Sequence, residues 1–500
     1  MNVFTFLFRT LRGRIAQPSG HPQSRTPAKR GSSDVLSMQH VLDEFRDCAD
    51  LTHRSFPEIQ VHLVYFSFLS DPDKLDRDVI RPLRGVTREE VPRLLRETQF
   101  QAVTDRKQLI EGILKGQTAL FYRDEPYLVD VLGPKERSIG QSETETVITG
   151  PHDAFNENAG SNLSLIRKRV RSSHLKVVKL SVGEVAKNDV YVLYIDGIVN
   201  PIYVQKIIER VRQIEVDAIT DTSMLIQYID DSPLSIFPQF LTSERPDAIA
   251  SKLVSGRVIG MMDGSPSAFS APTSLFEFFT SSDDYYQRWL LGTGTRLLRF
   301  VAFGITVTFT ALYVAVATYH YEMIPANLLP TFVESRSRVP FPPVYEALLM
   351  ETTIELLREA GARLPTKIGQ TIGIVGGIVI GQAAVQAGFT SNILIIAVAS
   401  SAIASFVIPS YVMSASIRLV RFGLILLAGL WGNFGLAIGL AFVVIHLSGL
   451  TSLGASFISP LAPLQFKDWK DTFIRAPFKM LKERPEQTEA LNPVRMKTRK

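Results

Sequence analysis

The side chains of this chain best equipped to handle ions are two glutamines, Gln382 and Gln386, and three glutamates, Glu346, Glu351 and Glu355. The glutamines lie at one end of Ile368–Gly388, IGQTIGIVGGIVIGQAAVQAG, an uncharged run of about twenty residues, long enough to cross a bilayer as a helix. With Ile372, Val375 and Val379 they form a narrow face that turns polar at one end. Gly369, Gly373, Gly377 and Gly381 recur every fourth residue and make a separate smooth stripe, which lets another helix approach to backbone contact. A helix with a packing stripe and a partly amide-bearing face is built for assembly and for lining something other than lipid. The glutamates belong to a second helical pattern, Val344–Ala360, in which Glu351, Glu355, Arg358 and Glu359 crowd one face. That helix is too charged to face lipid.

The rest of the chain must position these two segments. Its 500 residues suggest two or three folded units. Charge is concentrated before about residue 290 and after about 465, with long apolar runs between, the profile of a soluble module followed by a membrane domain. The net charge of +5 comes with no basic stripe interleaved with aromatics, which argues against nucleic-acid binding. Cys48 is the only cysteine, so no intramolecular disulfide can form, and a reducing compartment is expected for the soluble part. The start, MNVFTFLFRTLRGRIA, is broken by Arg9, Arg12 and Arg14 and lacks a small-residue cleavage site, so it does not read as a signal peptide. Residues 1–33 read as a disordered, basic, proline-rich N-terminus.

The soluble part carries an internal repeat. VHLVYFSFLSDP (Val61–Pro72) aligns with VYVLYIDGIVNP (Val190–Pro201), and Leu109–Pro126 aligns with Ile249–Pro266. Each pair reads as strand–helix, then helix end, glycine turn and strand, which predicts two related α/β subdomains over 34–176 and 177–290. Arg167, Lys168, Arg169 and Arg171 form a basic cluster on a helix placed as a linker. Two roles are open to it: pairing with acidic neighbours, or contact with anionic headgroups.

An all-α membrane domain is expected over 291–465. Leu297–Tyr319 is a crossing preceded by Arg288, Arg296 and Arg299, which puts the soluble module in the cytoplasm. Further crossings are expected at Ile368–Gly388 and Ile393–Tyr411. Leu419–Leu450 is either one long helix or two folded back at Trp431-Gly432-Asn433. Four crossings are the simplest count, with 466–500 a basic cytoplasmic tail, but that count leaves Arg418 and Arg421 outside. A broken last segment, or a crossing by the glutamate helix, would relocate them.

Enzyme signatures are missing: no phosphate-binding Walker loop, no paired-cysteine zinc spacing, no HExxH. Ser173 and Lys176 match SxxK without its companion motifs. The histidines make no metal-ligand pair, and His446, in an apolar helix, reads as a buried, hydrogen-bonded residue. Asp230-Asp231 and Asp283-Asp284 fit turn or capping positions. No cofactor and no enzymatic activity are expected.

Several segments together resemble one family, the GerA-type A subunits of bacterial spore germinant receptors, from about residue 40 to about 475. In the soluble half they are TGPHDAFNENAGSNLSLIRKR, YIDGIVN, FPQFLTSERPD, GRVIGMMDGSP and FFTSSDDYYQR. In the membrane half they are HYEMIP, VPFPPVYEALLMETTIELLREAGARLP, GQAAVQAG, SSAIASFVIPSY and SPLAP. The resemblance implies a multi-pass protein of the spore inner membrane, working with a transporter-like B subunit and a lipoprotein C subunit. It also implies a homo-oligomer, a pentamer, that forms a nutrient-gated cation channel. In such a ring, Ile372, Val375, Val379, Gln382 and Gln386 become pore-lining candidates and the glycine stripe the packing face, with the valines as a dewetting constriction. Glu346, Glu351 and Glu355 would concentrate cations at one mouth, or pair with Arg358 and Arg363 at an interface. An accessory paralogue that amplifies germination and, from a different class, a monomeric secondary transporter are the competing readings.

Overall fold

The computed structural model describes residues 37–133, 140, 142, 145, 147–363 and 381–496. The first subdomain is built from α1 (Met38–Glu44), β1 (Leu51–Phe56), β2 (Val61–Phe66), β3 (Gln101–Ala102), α2 (Arg106–Leu114), β4 (Thr118–Tyr122) and β5 (Glu125–Val129). The second contains α3 (Ala159–Arg169), β6 (Leu175–Val182), β7 (Asn188–Ile195), α4 (Pro201–Arg212), β8 (Leu241–Ser243), α5 (Pro246–Val254), β9 (Val258–Met262) and β10 (Ala268–Ala271). Each forms one antiparallel five-stranded sheet, ordered β1-β2-β4-β5-β3 and β6-β7-β9-β10-β8. The two orders correspond strand for strand, so the duplication read from the sequence is present in three dimensions.

The aligned segments fall where they should: β2 and β7 in one pair, the end of a helix followed by β4 or β9 in the other. Both helix ends close on a glycine, Gly116 at φ +92° and Gly256 at φ +89°, a conformation that a side chain would strain. β4 and β9 are central, and all their residues are buried, as a strand covered on both faces requires.

The boundary between subdomains differs from the sequence expectation. Helix α3, read as a linker, packs Leu163 and Ile166 on Val177, Leu193 and Ile249 and so belongs to the second sheet's core. It occupies the place that α1 takes on the first sheet, where Val41 packs with Val64 and Ile113. The basic cluster is divided accordingly. Arg169 pairs with Asp153 at 2.6 Å. Arg167 is buried, donates to both carboxylate oxygens of Asp50 at 2.8 Å, and lies over the Phe66 ring at 4.3 Å. It therefore bolts the second subdomain to the first. Residues 47–49 add to this join, because Ala49 N–H donates to the Val177 carbonyl and Val177 N–H to that of Asp47.

Between the subdomains, Glu145 accepts from the Ser243 hydroxyl at 2.7 Å and lies near Glu244, Arg245 and Asp247. Burial is the main cause that pushes its carboxyl up to about 7. The folded form thus holds a proton that the unfolded chain has lost between about pH 4.5 and 7. Stability falls across that window as pH rises, by up to about 3 kcal/mol, and levels off above it. Thermal unfolding at pH 5 and pH 7.5 should show this drop, and Glu145→Gln should reduce it.

The helical domain contains α6 (Trp289–Tyr319), α7 (Pro343–Arg363), α8 (Asn392–Phe406) and α9 (Tyr411–Gly449), with a short helix at Leu329–Arg336 between the first two. Helices α6 and α9 are long and apolar enough to cross a membrane. α9 is broken at Gly432, which has φ 60° and ψ −140°. The chain folds back there: Gly435 and Gly439 lie against Leu427 and Leu424, contacts that a straight helix could not make. The outward faces are apolar, with Ile396, Ile403, Leu419, Leu426, Phe434 and Phe442 exposed.

Helix α6 leaves the soluble module at Asp284, which binds Arg299 at 2.7 Å and Arg296 at 3.2 Å. Its far end meets the α9 turn, where the Tyr319 hydroxyl donates to the Gly429 and Leu430 carbonyls. Both arms of α9 return to one loop of the soluble module. Ser416 donates to the Ile236 carbonyl, and His446 hydrogen-bonds Ser235 at 3.0 Å. His446 is exposed rather than buried, because it sits at this junction and not inside the bundle.

The C-terminal segment, read as a basic tail, folds back onto the soluble module through Glu486–Thr488 and its neighbours. Arg475 and Arg484 are buried. Carbonyl oxygens and aromatic rings, not solvent, receive their charge.

Candidate functional site

Glu351 and Glu355 are one helical turn apart on α7, so both project toward the same side of the bundle. α7 starts at Pro343, whose fixed φ suits a first helical position, and Val344 fills the space left beside Gly429 of α9. From there it runs back toward the soluble module, antiparallel to α6. Glu351 accepts from Thr310 of α6 at 2.7 Å and pairs with Arg421 of α9 at 2.6 Å. Neither charged side chain of that pair has any exposed surface. Glu355 is shared among Arg421 at 3.2 Å, Arg418 at 3.1 Å and Arg358 at 3.2 Å. Serines complete the site: Arg421 donates to Ser401, Arg418 to Ser414 and Arg358 to Ser405. Arg358 also lies over the Phe406 ring at 4.6 Å.

Two carboxylates thus face three guanidiniums, leaving one positive charge in excess. Burying such groups is costly by several kcal/mol per ion unless each is paired and hydrogen-bonded, and here the pairs and their hydrogen bonds join all four helices, α6 to α9. Glu355 therefore serves three guanidiniums at once. Each serine hydroxyl and carboxylate of the site is already engaged by an arginine. What the arrangement can do is hold helices at a fixed angle.

Of the candidates from sequence, Gly369, Ile372, Gly373, Val375, Gly377 and Val379 lie outside the described residues. Gly381, Gln382 and Gln386 are described. Both glutamines are exposed on the protomer, and the nearest side chain to the open side of Gly381 is Ile395, at 4.0 Å. Glu346 stands apart from the other glutamates, toward the turn of α9. It pairs with Arg336 at 3.1 Å and accepts from the Ser391 backbone N–H at 3.2 Å. Arg358 pairs with Glu355 within the protomer, and Arg363 pairs with Glu359. Sequence reasoning missed Arg336, Arg418 and Arg421 as partners. The signal was there for two of them, since Arg418 and Arg421 fit a four-crossing topology badly. The antiparallel glutamate helix and the broken last segment resolve that misfit by placing them beside Glu351 and Glu355. Among the described residues no group of three or more His, Cys, Asp or Glu side chains is placed to hold a metal ion.

The family described as Bacillus/Clostridium GerA spore germination protein matches residues 39–487. Spore germination protein GerQA of Bacillus cereus is 46% identical over 378 residues, 75% of this chain and 76% of its own length. Spore germination protein A1 of Bacillus subtilis (strain 168) is 38% identical over 442 residues, 87% of this chain and 91% of its own. The crystal structure of the N-terminal domain of the A subunit of the Bacillus megaterium spore germinant receptor GerK3 aligns with 47% of this chain and 92% of its own. It is 22% identical, with a TM-score of 0.36. The match runs through the soluble module, the ion-paired helices and most of the C-terminal segment, and the chain therefore belongs to the GerA family of spore germination proteins, the A subunits of germinant receptors.

Proposed function

We propose that this chain is the membrane-embedded subunit of a germinant receptor that oligomerises into a ring, a pentamer, and releases cations when nutrient is sensed. The observation that carries this reading is family membership across residues 39–487, which includes both the soluble and the helical halves. The helical domain supports it physically. Its apolar faces point outward and its charges are paired inside, the distribution a chain surrounded by lipid requires. In this reading the soluble module lies on the spore-core side of the inner membrane, and a transporter-like subunit and a lipoprotein complete the receptor.

The segment 368–388 lines the passage, with Val375 and Val379 as the constriction, Gln382 and Gln386 beyond it, and the glycine stripe as the contact between neighbours. Glu351 and Glu355, each bound by arginine in the protomer, set the angle of α7 within the ring. Glu346 does the same near the α9 turn through Arg336.

The test is the mass of the purified oligomer together with cation release. Val375→Ala is expected to make spores lose cations without nutrient. Gly377→Leu is expected to abolish the oligomer, because no large side chain fits at a backbone contact. A wild-type protein that purifies as a lone protomer and passes no current with its companion subunits would sink the reading.

A further inference from the structure

The C-terminal segment has two attachments of very different character. Its root is aromatic and charged. Phe473 packs on Phe276 and Phe300 with centroids 5.1 and 5.4 Å apart, and Trp469 packs on Phe473 at 5.3 Å. Asp471 accepts from the Tyr285 hydroxyl at 2.9 Å and stands 3.6 Å from Arg296 at the start of α6. Arg475 donates to the Tyr285 carbonyl and stacks over Phe478 at 4.0 Å. Several rings and a paired carboxylate make this end costly to detach.

The tip lies about twenty residues further on and is held differently. It crosses the second subdomain, where Asn200 donates to Glu489 at 3.1 Å and Leu491 N–H to the Ile198 carbonyl at 2.9 Å. Gln487 donates to the Ser456 carbonyl, just beyond α9. Arg484 is the pin. It is 8% exposed and donates to the carbonyls of Val254, Asn492 and Val494 at 2.7 to 2.8 Å. Among the described residues no carboxylate pairs with it. A buried guanidinium neutralised only by peptide dipoles keeps much of its desolvation cost. Glu489 adds strain, standing at φ 43° in the left-handed region. Of the tip's larger apolar side chains only Leu481 is buried, while Leu491 and Val494 remain exposed.

A firm root and a strained, polar-held tip define a part that opens at one end only. We propose that residues 481–494 are a releasable clasp, which holds the second subdomain against the helical domain at rest and lets go when the subunit signals. This rests on the receptor reading above. Because Gln487 also touches the chain just after α9, opening the clasp loosens one of that subdomain's ties to the end of α9, while Asp284–Arg299 and Ser416–Ile236 stay in place.

The experiment uses the full chain within the assembled receptor, reconstituted into vesicles. Asn200→Cys with Glu489→Cys is bridged by a short bis-maleimide. Cys48 is the only native thiol of this chain, and burial raises its pKa, which keeps it out of the reaction. The bridged receptor should lose nutrient-triggered cation release, while the unbridged double variant keeps it. Arg484→Ala should respond at a nutrient concentration several-fold lower than wild type. In that variant, hydrogen exchange at 484–494 should rise at least tenfold, with 469–476 unchanged. Release from the bridged receptor at the unbridged rate would overturn the clasp, as would a wild-type threshold in Arg484→Ala. Wild-type receptor that releases no cations on nutrient addition would instead refute the receptor reading, and the exchange measurement would still judge the clasp's attachment.

Discussion

Arg421→Ala is expected to cost about 3–5 kcal/mol, the largest loss from any single side-chain truncation in the helical domain. The substitution leaves Glu351 wholly buried with only Thr310 as a partner, and removes one of the three arginines around Glu355. The damage comes from the stranded carboxylate rather than from the lost attraction. It follows that Glu351→Leu combined with Arg421→Leu should be far less destabilising than Arg421→Ala alone, since neither charge is then left by itself. Thermal unfolding of the purified protein in detergent, run as a double-mutant cycle, measures the coupling. A loss in the double variant equal to the sum of the losses in Glu351→Leu and Arg421→Leu alone would mean that the pair contributes nothing.

The second large effect is expected at the turn of α9. A Cβ on Gly435 would stand 2.0 Å from the Leu427 carbonyl oxygen, a backbone atom with nowhere to go. Gly435→Val should therefore prevent the two arms from closing, with a loss beyond the roughly 1–3 kcal/mol typical of overpacking. Gly423→Ala is the control: it lies in the same helix with nothing within 4 Å of its added carbon, and should be tolerated. The yield of monodisperse protein and its unfolding temperature distinguish the two. A stable Gly435→Val protein with unchanged spectra would show that the arms do not fold back.

How far the sequence reveals this architecture depends on how local the cause is. The duplicated α/β units were legible because strand patterns and glycine turns are local. The alignment of Val61–Pro72 with Val190–Pro201 locates β2 and β7 correctly. The place of α3 was not legible, since a helix rich in arginine reads as solvated until Asp50, far away in sequence, claims Arg167. The glutamate helix was found by its periodicity. Its partners on α9 lie more than sixty residues downstream, and only the awkward topology of Arg418 and Arg421 hinted at them. The fold-back at Gly432 was one of two options in the sequence, because a glycine between apolar runs permits either a straight or a reversed path. The docking of the C-terminal segment left no trace, as buried arginines served by carbonyl oxygens look the same in sequence as exposed ones.

The two legs of α9 plant their feet on a single short loop, Ser416 on Ile236 and His446 on Ser235, while their shared knee at Gly432 rests against His320. Both feet therefore share one footing: a tilt of the loop at residues 235–237 would reach both legs at once and, through the first of them, Arg418 and Arg421.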